Sequence, residues 1–416
     1  MPWKQTDAMT ERVKLISEYL SGDWGVTDLA GRYGVSRKSV YKWIGRYRER
    51  GWEGLEDDSR APHHQARAIG IEIEAAILGL KERWPNWGAP KLRHKLLMQI
   101  GPGKCPAEST VSAVLKRHGL VKAPRRRGRA MSGGCGPLEH CQGPNSVWCV
   151  DFKGWWRTRD GRRCDPLTVS DAWSRYLLRC VGIGDGANGE RVRTHFELLF
   201  REYGLPEAIR SDNGAPFAST GLGGLTALSV WWLKLGLRLE RITPGHPQEN
   251  GRHERMHLSL EKSSAREPRE NLVRQQEAFE EFRREYNQER PHEALGFKTP
   301  AQLYRPSNRP YEGKLPMQSE YPDEWETRGV RGGGQIKWSG RDVGVTTALA
   351  GETVGLEPLE DGEWAVWFEN LKLGIFSERT GRIARCKRLP SPPTDGRASY
   401  SALLAPTLRS GSSNAE

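Results

Sequence analysis

Three acidic residues stand where the backbone would let their carboxylates converge. Asp151 ends the apolar run Val147-Trp148-Cys149-Val150, which predicts a buried strand with an acid at its tip. Asp212 directly follows Glu207–Ser211, a predicted brief strand, and Glu254 rides on a helix predicted to start near Asn250. Carboxylates are hard oxygen donors of the kind Mg²⁺ takes, and a few suffice because that ion keeps several waters. Each position also has an ordinary reading. Asp212-Asn213-Gly214 alone is a common turn signal, and Glu249 competes with Glu254 but precedes the helix.

The elements between these acids must bring them together. Cys164–Asp171 and Arg175–Ile183 read as strands, and Gly189–Tyr203 as an amphipathic helix with Val192, Phe196, Leu199 and Phe200 on one face. Ser229–Leu235 reads as a second helix and Leu237–Ile242 as a fifth strand. The order βββαβαβα predicts a mixed sheet flanked by helices, an α/β arrangement. Asp171 reads as a structural acid and His292 as a packing residue. Arg252, His253, Arg255 and His257 flank Glu254, and DNA contact and plain surface exposure are equally good readings of them. Gly182-Ile183-Gly184 lacks the third glycine and the ribose-binding acid of a nucleotide site.

Three segments carry a resemblance. Val147-Trp148-Cys149-Val150-Asp151-Phe152, Arg210-Ser211-Asp212-Asn213-Gly214 and Pro247-Gln248-Glu249-Asn250-Gly251-Arg252-His253-Glu254-Arg255 resemble, in order, the acidic motifs of the retroviral-integrase-type DDE core. The likeness is to bacterial insertion-sequence transposases with that core, which also tend to show the segments at 231–236 and 286–295. It implies a ribonuclease H-like mixed-sheet catalytic core over 140–305, with Asp151, Asp212 and Glu254 as catalytic and metal-holding residues. The implied cofactor is Mg²⁺ (or Mn²⁺), two ions per active site, because phosphodiester transfer uses two ions about 4 Å apart to activate one oxygen and stabilise another. Asp151 would bridge the ions, with Asp212 and Glu254 completing one shell each. Water would first cut a transposon end, and the freed 3′-OH would attack target DNA, with no nucleotide cofactor. The 41 residues between Asp212 and Glu254 exceed the spacing that names the retroviral pattern, and Gly-rich Ser219–Leu225 reads as an insertion.

The rest of the chain supplies a partner for such a core. The 416 residues suggest two to four domains at roughly 100–200 residues each. Of the net charge of +12, residues 1–130 hold +11, with 25 basic against 14 acidic side chains, so the excess sits ahead of the acids. Thr10 reads as the cap of a first helix, Thr27–Tyr33 as a second, and Ser36 as the cap of a third over Arg37–Arg50. Val40, Ile44 and Tyr47 make its buried stripe; Arg37, Lys38, Tyr41, Lys42, Arg46 and Arg48 then project outward. That predicts a helix-turn-helix DNA-binding domain over 1–52, its last helix suited to the major groove, the alternative being a small helical bundle whose charges are merely solvated.

After a linker with the acidic run Glu56-Asp57-Asp58, a second helix-turn-helix or winged-helix-like domain is expected over 68–124. Its helices are expected at Ile71–Arg83, Ala89–Met98 and Ser109–His118, the last capped by Ser109 and closed by Gly119. Arg125, Arg126, Arg127 and Arg129 follow as a run that could track phosphates. Towards the other end, a small C-terminal β-barrel is expected over 332–390, with Asp361-Gly362 as a hairpin turn, and a disordered tail over 391–416.

Several classes are excluded or disfavoured. No run of about 18 apolar residues suggests a membrane span, the first residues lack a signal-peptide core, and seven cysteines without CxxC spacing make no disulfide framework. The expected setting is the cytoplasm, associated with the nucleoid. The expected partners are double-stranded DNA, both transposon ends and target, and further copies of the chain, at least a dimer on DNA. A DNA-binding regulator derived from a transposase and a metal-dependent nuclease without joining activity are the alternatives.

Overall fold

The computed structural model describes residues 7–58, 69–121, 141–184, 186, 188–243, 250–265, 267–315 and 320–385. The chain divides into two compact units at Gly70. In the first, α1 (Ala8–Ser21), α2 (Val26–Arg32) and α3 (Arg37–Arg50) enclose Leu15, Ile16, Leu29, Val40, Ile44 and Leu55. The cap of α1 is Asp7 rather than Thr10: its carboxylate accepts from the Thr10 amide at 2.7 Å, an anion at the positive end of the helix. Ser36 caps α3 as expected, accepting from the Ser39 amide. The segment after α3 folds back as a 3-10 turn, Gly51–Leu55. Gly54 is required there, because a Cβ would fall 2.3 Å from the Arg46 carbonyl oxygen.

The second unit begins with α4 (Ile71–Arg83), α5 (Ala89–Ile100) and α6 (Glu108–Arg117). Ala107, not Ser109, caps α6, with no side-chain bond. These helices dock on the far end of the same unit. Trp87 donates its indole N–H to Glu285 at 2.8 Å, Lys91 pairs with Glu293 at 2.7 Å, and His94 stacks on Phe297.

A mixed sheet follows, from β1 (Val147–Phe152), β2 (Trp156–Arg157), β3 (Arg163–Asp171), β4 (Leu177–Gly184), β5 (Ala208–Ser211) and β6 (Arg238–Arg241). β1 lies at its centre, antiparallel to β3 and parallel to β5, which is parallel to β6; β3 also pairs antiparallel with β4 and, at its start, with β2. Side chains alternate across a strand. Trp148 and Val150 of β1 and Leu167 and Val169 of β3 share a core with α7 (Gly189–Tyr203) and α8 (Ala227–Lys234), built on Phe196, Phe200 and Trp232. Asp151, Thr168 and Ser170 occupy the alternate positions, facing α9 (Gly251–Leu260). On that side α9 and α10 (Leu272–Arg284) bury Met256, Leu260, Phe279 and Phe282 against Cys164 and Cys180.

The expected C-terminal barrel is, over the described residues, an open sheet. β7 (Glu326–Gly329), β10 (Thr353–Pro358), β11 (Glu363–Phe368), β12 (Leu371–Ser377) and β13 (Arg382–Arg385) run antiparallel in the order β13-β12-β11-β10-β7, beside a separate hairpin of β8 (Gln335–Trp338) and β9 (Arg341–Gly344). Closure is unnecessary because the apolar face is covered from outside. Leu222 and Leu225 of the Gly-rich segment, with Val230 and Leu233 of α8, share one core with Ile336, Val343, Leu356, Val366 and Phe376. What reads as an insertion in the sequence is thus the loop that docks this sheet, and Lys234 adds an ion pair to Glu352 at 2.9 Å. Asp361 and Gly362 both take positive φ between β10 and β11, as a tight hairpin requires. The arginine run 125–129 and residues 391–416 lie outside the described residues.

Candidate active site

β1 carries Asp151 to the edge of the buried core, where its side chain is 24% exposed. Burial, then the charge of Asp212 and that of Glu254, push its carboxyl up to about 7, against the pull of the Phe152 amide and Lys153. Two of these three causes disfavour the carboxylate directly through neighbouring like charge. The three sequence-predicted acids therefore share one electrostatic neighbourhood.

Asp212 follows β5. Beneath it lies Arg241 of β6, half-buried, its guanidinium pulled down to about 10 by desolvation. Arg241 donates to the Ser211 hydroxyl at 2.7 Å and to the Phe217 carbonyl at 2.6 Å, and Asn213 donates to the Ile242 carbonyl at 2.7 Å. These bonds fix the turn that presents Asp212. Its Oδ1 is buried and has no hydrogen-bond partner among the described residues. A buried, unpaired carboxylate oxygen is costly unless something supplies positive charge or a proton.

Glu254 projects from the first turn of α9 and is exposed. Among the described residues no three His, Cys, Asp or Glu side chains converge as a ready metal cluster. The donor set nevertheless suits a hard cation: oxygen ligands only, one of them orphaned, and a second whose carboxyl is pushed up by burial and then by its acidic neighbours. Glu249 lies outside the described residues.

Behind Asp151 sits a buried polar relay. Thr168 faces Asp151 across the β1–β3 ladder, and its hydroxyl lies 3.1 Å from the Asp151 carbonyl oxygen and 2.7 Å from Nε2 of both His253 and His257. A carbonyl can only accept, so that bond takes the hydroxyl's single proton. Both imidazoles must then donate from Nε2–H. His253 Nδ1 accepts from Ser170 at 2.9 Å, and the Nδ1 lone pair of His257 faces Asp151 Oδ2 at 3.9 Å. Burial holds both rings neutral, His253 pulled down to about 3 and His257 to about 2. Neither histidine is the surface residue or DNA contact that its charged surroundings suggest.

The remaining sequence candidates separate cleanly. Arg37, Lys38, Tyr41 and Lys42 are exposed on α3, Tyr41 at 63%. Arg46 is drawn inward instead, donating to the Glu56 carbonyl and pairing with Asp58. Arg252 is exposed overall, but its guanidinium is used within the fold, donating to the Ala172 carbonyl at 2.9 Å, while Arg255 is exposed. Asp171 is structural: it accepts from the Asn145 and Ser174 amides and the Ser174 hydroxyl. His292 is buried against Tyr286. Sequence reasoning missed Thr168, Ser170 and Arg241. Only their alternation on predicted strands signals which face they take.

Comparisons with known proteins match parts of this chain to helix-turn-helix and integrase-core domains. The chain matches a helix-turn-helix domain over residues 11–63, a homeodomain-like domain over 39–115, the integrase core domain over 235–300 and the C-terminal domain of IS481 family transposases over 325–383. It is 29% identical over 161 residues to the insertion element IS407 uncharacterized 31.7 kDa protein of Burkholderia multivorans, covering 38% of this chain and 55% of that one. It is equally identical, over the same length, to the insertion element IS476 uncharacterized 39.2 kDa protein of Xanthomonas euvesicatoria, covering 44% of it. The chain thus spans about half the length of the curated relatives it matches. Among solved structures it is similar to the HTLV-2 integrase catalytic core domain (15% identity, TM-score 0.30, 39% of this chain and 99% of that one) and to a chain of the simian T-cell lymphotropic virus intasome (15%, 0.33, 75% and 100%). The matched stretches are thus those of helix-turn-helix domains, an integrase core domain and an insertion-sequence transposase C-terminal domain.

Proposed function

We propose that this protein binds transposon ends and catalyses metal-dependent cleavage and strand transfer of DNA. The observation that carries the reading is the carboxyl of Asp151, pushed to about 7 by burial and by Asp212 and Glu254, on a chain whose domains are those of transposases. Asp151, Asp212 and Glu254 would hold Mg²⁺ or Mn²⁺, two ions per site. The bound ions would supply Lewis-acid activation of the attacking oxygen and stabilisation of the leaving one. The chain's own contribution is orientation. The Thr168–His253–His257 relay ties the Asp151 backbone to the helix bearing Glu254, and Arg241 fixes the turn bearing Asp212. Arg37, Lys38, Tyr41 and Lys42 would read duplex DNA from α3, with Arg255 beside the acids and the arginines at 125–129 adding phosphate contacts. Two transposon ends must be joined, so the working form is at least a dimer on DNA.

The test is a strand-transfer assay with candidate terminal inverted repeats and Mg²⁺, comparing wild type with Glu254→Gln. Wild type should cut and join and the variant should do neither. Joining by the variant overturns the site. Binding without cutting by wild type favours a DNA-binding regulator, and cutting without joining a nuclease.

A further inference from the structure

We propose that the β2–β3 hairpin is a DNA-end platform, on which Trp155 stacks an unpaired base while Arg157 holds the neighbouring phosphate. This deepens the DNA-processing reading and rests on it. The segment 153–165 carries five basic residues against two acids. Of its adjacent tryptophans, Trp156 is accounted for by the fold, packing edge-on to Phe279 and donating to Gln275. Trp155 is 55% exposed, with the Arg163 guanidinium 4.8 Å and the Arg157 guanidinium 6.0 Å from its ring centroid.

The two arginines are also direct cross-strand partners. Like charges in that position repel, so the pair calls for counter-charge. Asp165 supplies it to Arg163 through bonds of 2.8 and 2.7 Å. Arg157 donates only to the Gly161 carbonyl, and no carboxylate pairs with it among the described residues. A cation lacking an anion beside an indole that is 55% exposed matches one nucleotide: a base for the ring and a phosphate for the guanidinium.

The platform is preorganised. Two main-chain bonds, from Arg159 to the Arg269 carbonyl and from Asp160 to the Glu270 carbonyl, each 2.9 Å, clamp the hairpin tip. It is also close to the acids, because β1 and β2 pair successively along β3. Trp155 lies four residues past Asp151, at most about 14 Å of extended chain. At about 3.4 Å per nucleotide, the stacked base belongs within roughly four nucleotides of a phosphate at Asp151. A paired base inside a duplex offers no free face, so the substrate class is a frayed or single-stranded DNA end.

The test uses the full chain in EDTA and fluorescence anisotropy with a mixed-sequence duplex of ~30 bp, blunt or carrying a 3′ dT tail of ~5 nucleotides. Wild type should prefer the tailed duplex. Trp155→Ala should lose about 5- to 100-fold in affinity for it, the range expected for one stacked base, while blunt-duplex affinity changes less than about twofold. Trp155→Phe should recover most of the loss. Equal affinity of wild type for both duplexes, or equal weakening of both by Trp155→Ala, overturns the platform and leaves the DNA-processing reading standing. Failure of wild type to bind either duplex overturns both.

Discussion

The Thr168 hydroxyl donates to the carbonyl oxygen of Asp151, its partner across the β1–β3 ladder, at 3.1 Å. Through that one hydroxyl, which also accepts from both rings, the strand end bearing the candidate central acid is linked to both buried imidazoles of α9. Asp151 and Glu254 are therefore positioned relative to each other by hydrogen bonds, not only by packing.

Removing the hydroxyl tests that linkage. Thr168→Val keeps the shape but leaves two buried imidazole N–H groups unpaired, an expected cost of about 2–4 kcal/mol in urea unfolding. Thr168→Ser keeps the donor and should stay within about 1 kcal/mol of wild type. Loss from Thr168→Ser with none from Thr168→Val would mean that the γ-methyl, not the relay, matters.

The titration of Asp151 has a defined sign. Its folded-state value of about 7 exceeds the ordinary 3.8, so the native state binds more protons than the unfolded state between these limits. Stability from this residue falls as pH rises from about 4 to 7. Asp151→Asn should therefore stabilise the metal-free chain at pH 8 by on the order of 1–3 kcal/mol and lose that advantage near pH 4. Thermal melts in EDTA at both pH values check it, and a destabilised variant at pH 8 would contradict it.

The same acids should respond to cations. At tenfold excess over its dissociation constant, Mn²⁺ should raise wild-type stability by about 1.4 kcal/mol. Asp151→Asn and Asp212→Asn should lose most of that gain. An undiminished Mn²⁺ shift in both variants would place the binding elsewhere.

Part of this was legible from residues alone. A buried strand ending in Asp151, a brief strand before Asp212 and a helix bearing Glu254 follow from local apolar pattern. The relay does not, since His253 and His257 sit among arginines in Gly251–His257 and only the pleat of β3 decides that they meet Thr168 and Ser170. Alternation along β10–β12 shows which face is apolar, but not whether the edges pair. An open sheet and a barrel therefore look alike until α8 and the 222–225 loop are seen covering that face. Arg46 shows the same limit: helical periodicity points it outward, and a later acidic turn draws it back.

The docking loop gives a local test. Gly223 has φ of +65°, and a Cβ there would fall 2.8 Å from Leu373, whereas Gly381 has the same φ with open space around it. Both Ala variants bear the backbone strain, about 1–2 kcal/mol, but only Gly223→Ala should also loosen the β10–β12 core. Hydrogen exchange should then speed up in those strands for Gly223→Ala alone.

On α3 the two kinds of basic residue should part company. Lys42 is exposed and makes no ion pair among the described residues, although its ammonium lies 4.6 Å over the Trp43 ring. Arg46 holds the Glu56–Asp58 turn against the helix. Lys42→Ala should lower duplex affinity and reduce the slope of log K against log salt by about 0.9, the loss of one phosphate contact, with stability within about 0.5 kcal/mol. Arg46→Ala should do the reverse, lowering the unfolding midpoint of the first unit while leaving the salt slope intact. If Arg46→Ala changes the slope as Lys42→Ala does, Arg46 must leave Asp58 when DNA binds, and the acidic turn competes with phosphate for the same guanidinium.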